Sequence, residues 1–273
     1  MEIPFVKMQG AGNDFIIINN LALHLSKNEL SQLAKGACRA HLSLGADALM
    51  AVDKAKAGGD FRMRFYNADG TEAEMCGNGA RCIARYAYEE NLAPAEMKIE
   101  TIAGMVPAWH LNKTTYKVQL NDVTRFEEKN FAKKTVYYVE LGNPAIPHLV
   151  MAVSNLAEKD LADLRPLAKQ LRNWQELPKG ANVNFYEIVE DVVMVRTYER
   201  GVEDFTLACG TGSASVAYVV KQRQNQFKNP VALRTLGGKL EVQVQAKQLF
   251  LTGGAAWIAK GELSEEALCS DKI

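Results

Sequence analysis

Two cysteines of this chain stand in the same short pattern, Cys-Gly-x-Gly, followed by small and helix-forming residues. Cys76 lies in the first pattern, within residues 75–82, and Cys209 lies in the second, within residues 208–215. Each cysteine is therefore predicted at a helix N-terminus, where unpaired N–H groups stabilise negative charge and lower the pKa of a thiol. If both thiols reach one carbon atom, one removes a proton as a thiolate while the other returns a proton to the opposite face. The repeated pattern predicts inversion of a stereocentre.

A single Cys-Gly-x-Gly has two other interpretations, a cysteine buried as a small hydrophobic residue and a glycine-rich cradle for a phosphate or dinucleotide. The dinucleotide pattern G-x-G-x-x-G is incomplete in both places, because Cys82 and Ser215 stand where the third glycine belongs. The repetition favours two reactive thiols. The glycines also let backbone N–H groups approach an anion, so we expect a substrate carboxylate at the two helix ends.

The composition excludes several classes of partner. The 273 residues carry 32 basic and 32 acidic side chains, and no cluster of Lys and Arg predicts nucleic-acid binding. No apolar run approaches the roughly 18 residues of a membrane span, and the first 15 residues lack a signal-peptide pattern, so we expect a cytoplasmic protein with no membrane partner. Five cysteines are an odd number, which favours reduced thiols over a disulfide framework. Four scattered histidines without a C-x-x-C motif predict no metal site.

The hydrophobic pattern predicts a strand-rich α+β protein. Ser26 and Glu29 form a capping-box signature for a helix that ends near Gly36, and Gly237 with Gly238 predicts a hairpin turn. Further helices are predicted over residues 79–91, 160–172 and 212–223. Strands are predicted over residues 15–18, 61–66, 116–120, 136–141, 192–198, 231–236 and 240–244.

The two cysteine motifs also predict the domain organisation. The separation of Cys76 and Cys209 is close to the size of one typical domain. We therefore expect two pseudo-equivalent halves, residues 1–120 with Cys76 and residues 121–261 with Cys209, and an active site at the interface between them. Cys82 is expected to pack in the core, while Cys38 and Cys269 lie in no such motif.

Three further motifs accompany the cysteines: Met-Gln-Gly-Ala-Gly-Asn-Asp-Phe at residues 8–15, Asn-Ala-Asp-Gly-Thr-Glu at residues 67–72 and Tyr-Glu-Arg-Gly at residues 198–201. Spread over most of the chain, they make the sequence resemble the diaminopimelate epimerase family of cofactor-independent, two-thiol epimerases. Asn78 favours this branch over proline racemases and hydroxyproline epimerases, which tend to carry His after the first Cys-Gly. The resemblance implies two α/β domains, each a barrel-like, mostly antiparallel sheet around a central helix, with a C-terminal tail at residues 262–273 that returns to the first domain.

The resemblance also implies the reaction and the residues that perform it. The reaction is the conversion of LL-diaminopimelate to its meso isomer, in lysine and peptidoglycan precursor biosynthesis, with Cys76 and Cys209 as catalysts and no cofactor. The substrate-binding residues that it implies are Asn13, Asn67, Asn143, Asn182, Glu199 and Arg200 by their side chains, and Gly77, Asn78, Gly210 and Thr211 by their backbone N–H groups. Family members are often dimers, so a homodimer is a further expectation.

Three departures from the family pattern border the expected pocket. Ala48 stands where Gln or Gly is frequent, and Phe205 stands where an acidic residue is usual. The family's Gly-Asn-Pro-His segment appears at residues 142–148 as Gly-Asn-Pro-Ala-Ile-Pro-His, with Ala145 and Ile146 inside it. Either Asn143 keeps its substrate contact, or His148 belongs to the matching pair and Ile146 replaces the asparagine.

These departures leave alternatives open. The first is a racemase of another amino acid, histidine before others, on the same scaffold. The second is a protein that binds an amino acid without turning it over, and a pyridoxal phosphate enzyme is a further rival because its lysine needs no recognisable motif. Arg200 and the asparagines favour diaminopimelate as substrate, and the two intact cysteine motifs favour an enzyme.

Overall fold

The computed structural model of the chain describes residues 2–266 and divides into two compact units. One unit comprises the residues up to Val118 and those from Gly254 onward, and the other comprises Gln119–Gly253. The sequence predicts this boundary after residue 120 and a returning tail at residues 262–273. Residues 267–273 of that tail, with Cys269, lie outside the described residues. Among residues 2–266, no helix combines the length and the apolar character needed to cross a membrane.

The elements of each unit follow one another in a similar order. The first unit contains β1 (Ile3–Gly10), β2 (Asn13–Asn19), α1 (Asn20–Leu23), α2 (Lys27–Ala37), β3 (Ala48–Asp53), β4 (Phe61–Asn67), β5 (Glu72–Ala73), α3 (Gly77–Glu89), β6 (Glu96–Thr101), β7 (Gly104–Asn112) and β8 (Thr115–Gln119). The second contains β9 (Val123–Phe131), β10 (Lys134–Leu141), β11 (Ile146–Ala152), α4 (Leu161–Arg172), β12 (Asn182–Val189), β13 (Val192–Glu199), β14 (Asp204–Thr206), α5 (Gly210–Arg223), β15 (Val231–Thr235), β16 (Gly238–Gln245) and β17 (Gln248–Gly254). The last strand, β18 (Ala256–Leu263), belongs to the first unit.

The strand pairings repeat from one unit to the other. The first sheet runs β18-β1-β2-β3-β4-β6-β7-β8, with the short β5 beside β4. The second runs β9-β10-β11-β12-β13-β15-β16-β17, with β14 beside β13. In each sheet two pairs are parallel, β2–β3 and β4–β6 in the first and β11–β12 and β13–β15 in the second, and the others are antiparallel. The connection of every parallel pair contains a helix, as a crossover requires. The α+β prediction with two pseudo-equivalent halves is confirmed.

A buried helix lies against the sheet of each unit. In the first unit α3 contacts β1, β2, β3 and β7, and in the second α5 contacts β10, β11, β12, β13, β15 and β16. Small and apolar residues such as Ile83, Ala84, Val216 and Ala217 are fully buried on these helices. A helix buried on nearly all sides is the arrangement expected for the core of such a sheet.

Both central helices begin two residues earlier than the sequence predicted. We placed their starts at Gly79 and Gly212, but α3 starts at Gly77 and α5 at Gly210. The predictions were wrong because glycine has a low helix propensity and the Gly-x-Gly segments were assigned to turns. In the structure these glycines form the first helical turn, so Cys76 and Cys209 are the N-cap residues themselves.

The outer face of each sheet is covered by a second helix. The capping box of Ser26 and Glu29 starts α2, as predicted, and Leu30 and Leu33 of that helix pack with Ile16 and Ile18. In the second unit Leu164, Ala168 and Leu171 of α4 pack in a cluster that includes Val183, Phe185 and Tyr198. Because helices cover both faces, strands such as β2 are continuous apolar runs rather than alternating ones.

Candidate active site

The first cysteine motif forms the entrance to α3. Cys76 is half-buried and extended, with φ −131° and ψ 124°, and its carbonyl accepts from the Ala80 N–H at 2.8 Å. Its side chain does not accept a capping hydrogen bond from the first turn. The thiol is therefore held at the positive end of the helix without serving as the helix cap.

The second motif has the same backbone conformation, but its cysteine sulfur makes hydrogen bonds within the first helical turn. Cys209 is 8% exposed, with φ −112° and ψ 118°, and its carbonyl accepts from the Ser213 N–H at 2.9 Å. Here Sγ accepts from the Gly212 N–H at 3.4 Å and lies 3.4 Å from the Thr211 hydroxyl. The Cys209 sulfur is thus a helix cap, and a thiolate there would receive the Gly212 N–H directly.

The second glycine of each motif lies directly against a strand. A Cβ atom at Gly79 would lie 2.9 Å from Sδ of Met50 and 3.4 Å from the Phe65 ring. At Gly212 it would lie 2.2 Å from Oδ1 of Asn184. These glycines are therefore required for close packing of helix on sheet, beside any role in anion binding.

The side chains beneath the two motifs differ in polarity. The strand registers make three positions of one unit equivalent to three of the other: Phe15 to His148, Met50 to Asn184, and Phe65 to Thr197. The layer beneath Gly79 (Phe15, Met50, Phe65) is apolar, and the layer beneath Gly212 (His148, Asn184, Thr197) is polar. The two thiols therefore belong to repeats with the same backbone and different surroundings.

Hydrogen bonds hold the polar layer together. Asn184 donates to the Leu149 carbonyl at 3.0 Å, lies 3.3 Å from Nδ1 of His148 and accepts from the Thr197 hydroxyl at 2.9 Å. His148 is fully buried, and its Nε2 has no hydrogen-bond partner within the described part of the chain. Burial, assisted by the positive charge of Arg200, lowers the pKa of His148 to about 3, so the imidazole is neutral.

In the first unit the structure brings two predicted asparagines together. Asn78, in the first turn of α3, donates to Oδ1 of Asn13 at 2.6 Å, and Asn13 donates to Oδ2 of Asp47 at 3.0 Å. Asn67, the last residue of β4, donates instead to the Thr71 hydroxyl at 3.0 Å. Asn13 and Asn78 are thus one hydrogen-bonded group beside the Cys76 turn, and Asn67 is held within its own turn.

In the second unit Asn182, Glu199 and Arg200 also lie together. Asn182 is the first residue of β12, and its Oδ1 accepts from the backbone N–H of Arg200 at 2.9 Å. The Arg200 guanidinium donates to the Lys179 carbonyl at 3.3 Å. Glu199 accepts from the Thr206 hydroxyl at 3.0 Å, three residues before Cys209. Glu199 is thus the last residue of β13 and Arg200 follows it, with the carboxylate bound to Thr206 and the guanidinium bound to Lys179.

The structure places residues 142–148, for which the sequence allowed two alignments with the family motif. Asn143 is exposed in the turn between β10 and β11, whereas Ile146 is the first residue of β11 and His148 lies inside the strand. By the register of β11 with β12, Ile146 is the counterpart of Asn13 in the first unit. A substrate contact by Asn143 stays a prediction.

The other two departures are buried or half-buried. Ala48 is the first residue of β3 and the register counterpart of Asn182. Phe205 is the counterpart of Glu72, whose carboxylate lies 2.6 Å from Nε of Arg64 in the first unit. The Phe205 ring packs instead against Tyr198, with the ring centroids 5.5 Å apart. An ion pair of one half is thus replaced by an aromatic contact in the other.

The remaining described thiols are poor nucleophiles. Burial raises the pKa of Cys38 to about 12, with Asp14 and Asp47 acting in the same direction. Burial also raises the pKa of Cys82 to about 12, and this thiol is fully buried, as predicted. Within residues 2–266, no three side chains of His, Cys, Asp or Glu are placed to hold a metal ion.

Sequence reasoning missed the polar residues beneath and beside the cysteine turns. His148 was considered, but Asn184, Thr197 and the fully buried Arg81 of α3 were not. The sequence carries no signal for the burial of Arg81, because Asn78, Arg81 and Arg85 recur at helical spacing and resemble the polar face of a surface helix.

Comparison with protein families decides the relationship. The family model described as diaminopimelate epimerase matches residues 5–126 and again residues 137–258. This chain belongs to the diaminopimelate epimerase family. The double match also agrees with the repeated topology of the two units.

Full-length relatives agree with this assignment. The chain is 34% identical to diaminopimelate epimerase of Archaeoglobus fulgidus over 96% of its length and 97% of the relative's. It is 37% identical to that of Aquifex aeolicus, over 97% and 99% of the two chains, and 38% identical to that of Hydrogenobaculum sp., over 95% and 98%.

Solved structures share the fold of this family member at low identity. A phenazine biosynthesis protein of the PhzF family from Bacillus anthracis superposes with a TM-score of 0.73 at 17% identity, over 97% of this chain and 99% of the other. A hydroxyproline epimerase from Agrobacterium vitis superposes with a TM-score of 0.69 at 12% identity, over 97% and 93%. At such identities the likeness concerns the fold alone.

Proposed function

We propose that this protein is a diaminopimelate epimerase that converts the LL isomer to the meso isomer with two cysteine thiols and no cofactor. One observation carries the proposal: in a chain of this family, Cys76 and Cys209 are the N-cap residues of equivalent helices in two repeats. The substrate is a small amino acid, and both repeats supply a thiol to it.

The proposed reaction moves two protons at one carbon. The thiolate of one cysteine takes the α-proton, so that a C–H bond breaks and an S–H bond forms, and the thiol of the other delivers its proton to the opposite face. The roles of Cys76 and Cys209 are exchanged in the reverse direction. The charge that develops spreads into the α-carboxylate, where N–H groups at two helix ends stabilise it. Those N–H groups belong to Gly77, Asn78, Gly210 and Thr211.

The distal end of the substrate carries a second ammonium and a second carboxylate. Arg200 is the proposed partner of that carboxylate, because a planar guanidinium binds a carboxylate in a fixed geometry. Glu199, its neighbour in the chain, is the proposed partner of the ammonium. The remaining proposed contacts are amide side chains, Asn13, Asn67 and Asn182, with Asn143 as predicted from the family motif.

One observation favours a second candidate, a racemase of another amino acid with histidine as the first choice. Ile146 and Ala48 are apolar where their repeat counterparts, Asn13 and Asn182, are amides. Apolar residues at these two positions offer no hydrogen-bond partner to a substrate with charges at both ends. The test below separates the two candidates.

The test is incubation of the reduced protein with LL-diaminopimelate in D₂O, without added pyridoxal phosphate or metal. We expect meso-diaminopimelate with deuterium at the inverted carbon, while the LL substrate recovered early in the reaction keeps its proton. This pattern is the signature of two separate bases. Formation of no meso isomer would contradict diaminopimelate as substrate, and histidine and other amino acids would then be assayed in the same way.

Three matched cysteine variants complete the test. Cys76→Ala and Cys209→Ala should each lower the epimerisation rate by about 10²–10⁴-fold, as expected when one acid–base group is removed. Cys38→Ala is the control, since this thiol is buried at the C-terminal end of α2 and lies outside both motifs. If either motif variant keeps the activity of Cys38→Ala, the two-thiol mechanism is wrong.

A further inference from the structure

Arg81 of α3 has a fully buried guanidinium that pairs with no carboxylate among the described residues. The residue is 0% exposed, its Nη1 donates to the Gly77 carbonyl at 3.2 Å, and its Nη2 donates to Oδ1 of Asn78 at 3.0 Å. Its Nε has no hydrogen-bond partner, and no carboxylate of residues 2–266 forms an ion pair with it. Because an uncompensated buried charge is costly, this arginine requires a physical reason.

The next arginine of the same helix shows the ordinary arrangement. Arg85, one turn further along α3, is 8% exposed, and its Nε lies 2.8 Å from Oε1 of Glu89. Its Nη1 also donates to the Ala255 carbonyl at 2.5 Å. Arg85 is therefore compensated by a carboxylate on its own helix, and Arg81 is not.

The hydrogen bonds of Arg81 lead into the substrate-binding residues. Arg81 donates to Oδ1 of Asn78, Asn78 donates to Oδ1 of Asn13 at 2.6 Å, and Asn13 donates to Oδ2 of Asp47 at 3.0 Å. A guanidinium only donates and a carboxylate only accepts, so the two ends fix the orientation of both amide groups. Without Arg81, Oδ1 of Asn78 would lose this buried charged donor, and the series of hydrogen bonds would keep only its anchor at Asp47.

The thiols beside Arg81 are the groups that interact with its charge. Burial lowers the pKa of Arg81, while Cys82 and Cys76 act in the opposite direction by favouring the guanidinium. Cys82 is held protonated by its own burial, which raises its pKa to about 12. Cys76 is half-buried and directly precedes Gly77, whose carbonyl accepts from Nη1 of Arg81 at 3.2 Å, so it is the thiol whose thiolate form the guanidinium can favour.

Other charged groups on the elements packed around α3 are already paired. Lys7 of β1 lies 2.8 Å from Asp14 of β2, and Asp53 of β3 lies 3.5 Å from Arg64 of β4. His110 of β7 stacks on Tyr88, at the opposite end of α3 from Cys76. In the second unit, the position equivalent to Arg81 in α5 is the fully buried Ala214. The second cysteine turn therefore has no arginine at the equivalent helix position.

We propose that Arg81 is a positioning residue for the reaction proposed above, in which its guanidinium stabilises the Cys76 thiolate and fixes the amides of Asn78 and Asn13 for the substrate. This inference rests on the proposed function for its kinetic part. Its electrostatic part concerns the thiol alone and is measured without substrate.

The electrostatic test follows the alkylation of Cys76 by iodoacetamide against pH in the full chain, with modified peptides quantified by mass spectrometry. Arg81→Met removes the charge and should raise the pH midpoint of Cys76 alkylation by about one unit or more, the usual effect of losing a nearby opposite charge. Arg81→Lys keeps a positive charge and should bring the midpoint most of the way back to the wild-type value. Arg85→Met is the matched control, a buried arginine of the same helix whose removal should leave the midpoint unchanged, and Cys209 alkylation is the internal reference.

The kinetic test separates the two roles of Arg81. Arg81→Met should lower kcat at neutral pH, with partial recovery at higher pH, and should raise KM because the amides of Asn78 and Asn13 lose one of their two charged anchors. Arg81→Lys should recover kcat but not KM, since an ammonium cannot reproduce the guanidinium fork.

Two results would overturn the inference. The first is an Arg81→Met midpoint equal to that of wild type and Arg85→Met in a protein with unchanged circular dichroism. The second, which applies even if Arg81→Met does not fold, is an Arg81→Lys variant with wild-type KM. Absence of turnover in wild type together with a shifted midpoint in Arg81→Met would reject the substrate and retain the link between Arg81 and Cys76.

Discussion

Alanine at the second glycine of each cysteine motif should have unequal effects in the two halves. Gly79 and Gly212 occupy equivalent helical positions, but their missing Cβ atoms face Met50 and Asn184 respectively. The same substitution therefore places a methyl group against an apolar layer in one half and against a polar layer in the other. We expect Gly212→Ala to destabilise the protein much more than Gly79→Ala.

The magnitude follows from the distances. A Cβ at Gly212 must push Oδ1 of Asn184 outward from 2.2 Å by about 1 Å, which breaks its bond to Thr197 and strains the core. A lost buried hydrogen bond costs about 2 kcal/mol, overpacking costs about 2 kcal/mol, and the higher helix propensity of alanine returns about 1 kcal/mol, for a net loss of about 3 kcal/mol. At Gly79 the flexible Met50 thioether has to move only a few tenths of an ångström from 2.9 Å. There the strain and the helix gain nearly cancel, leaving a loss of about 0–1 kcal/mol.

The assay is urea unfolding of the full chain, followed by circular dichroism, with both variants compared to wild type. A loss of about 3 kcal/mol should lower the urea midpoint by about 1 M, given the denaturant dependence of a chain of this size. Asn184→Ala supplies the second side of a double-mutant cycle, and in that background Gly212→Ala should cost far less. Equal midpoints for Gly79→Ala and Gly212→Ala would refute the conclusion that Gly212 is required for close packing against Asn184.

Two further predictions concern pH. Burial lowers the pKa of His148 to about 3 in the folded protein. The stability that the neutral imidazole contributes is therefore present above about pH 6.5 and is lost as the pH falls toward 3, at up to about 1.4 kcal/mol per pH unit. His148→Phe, which copies Phe15 of the other half, should flatten this part of the stability curve measured by urea titration between pH 7 and 4; an unchanged slope would contradict a buried neutral imidazole. Hydrogen bonds from the backbone N–H groups of Gly59 and Lys56 lower the pKa of Glu100. Glu100→Gln should therefore destabilise the protein at pH 7. The difference in stability from wild type should shrink as the pH falls below the usual range of a glutamate. A difference that persists at pH 3 would assign the effect to packing instead of charge.

Local signals in the sequence predicted the elements that carry them. The capping box at Ser26 gave the start of α2, and the apolar run at residues 15–18 lies within β2. The Gly237-Gly238 hairpin is present as well, since Thr235 of β15 pairs with Gly238 of β16. In each case the residues that form the element are neighbours in the chain, so their pattern contains the necessary information.

Strand pairings between distant parts of the chain were not predicted from local patterns. β18 is a largely exposed strand without regular alternation of apolar and polar residues. Its partner is β1, at the other end of the sequence, and no local pattern reveals that pairing. The same limit applies to the candidate site: the cysteines, asparagines and Arg200 were found by motif, but the hydrogen bond from Arg81 to Asn78 and the contact of Asn184 with Gly212 depend on burial. An arginine or asparagine in a sequence reads as a surface residue unless the packing around it is known.

The pairing of β1 with β18 affects how the protein can fold during its synthesis. β1 is hydrogen-bonded to β2 on one side and to β18 on the other, whereas the corresponding strand of the second unit, β10, finds its neighbour β9 immediately before it in the chain. A ribosome therefore finishes every strand of the second unit before it makes the last strand of the first. Although domains usually fold in the order of their synthesis, here the sheet that begins to emerge first is completed last.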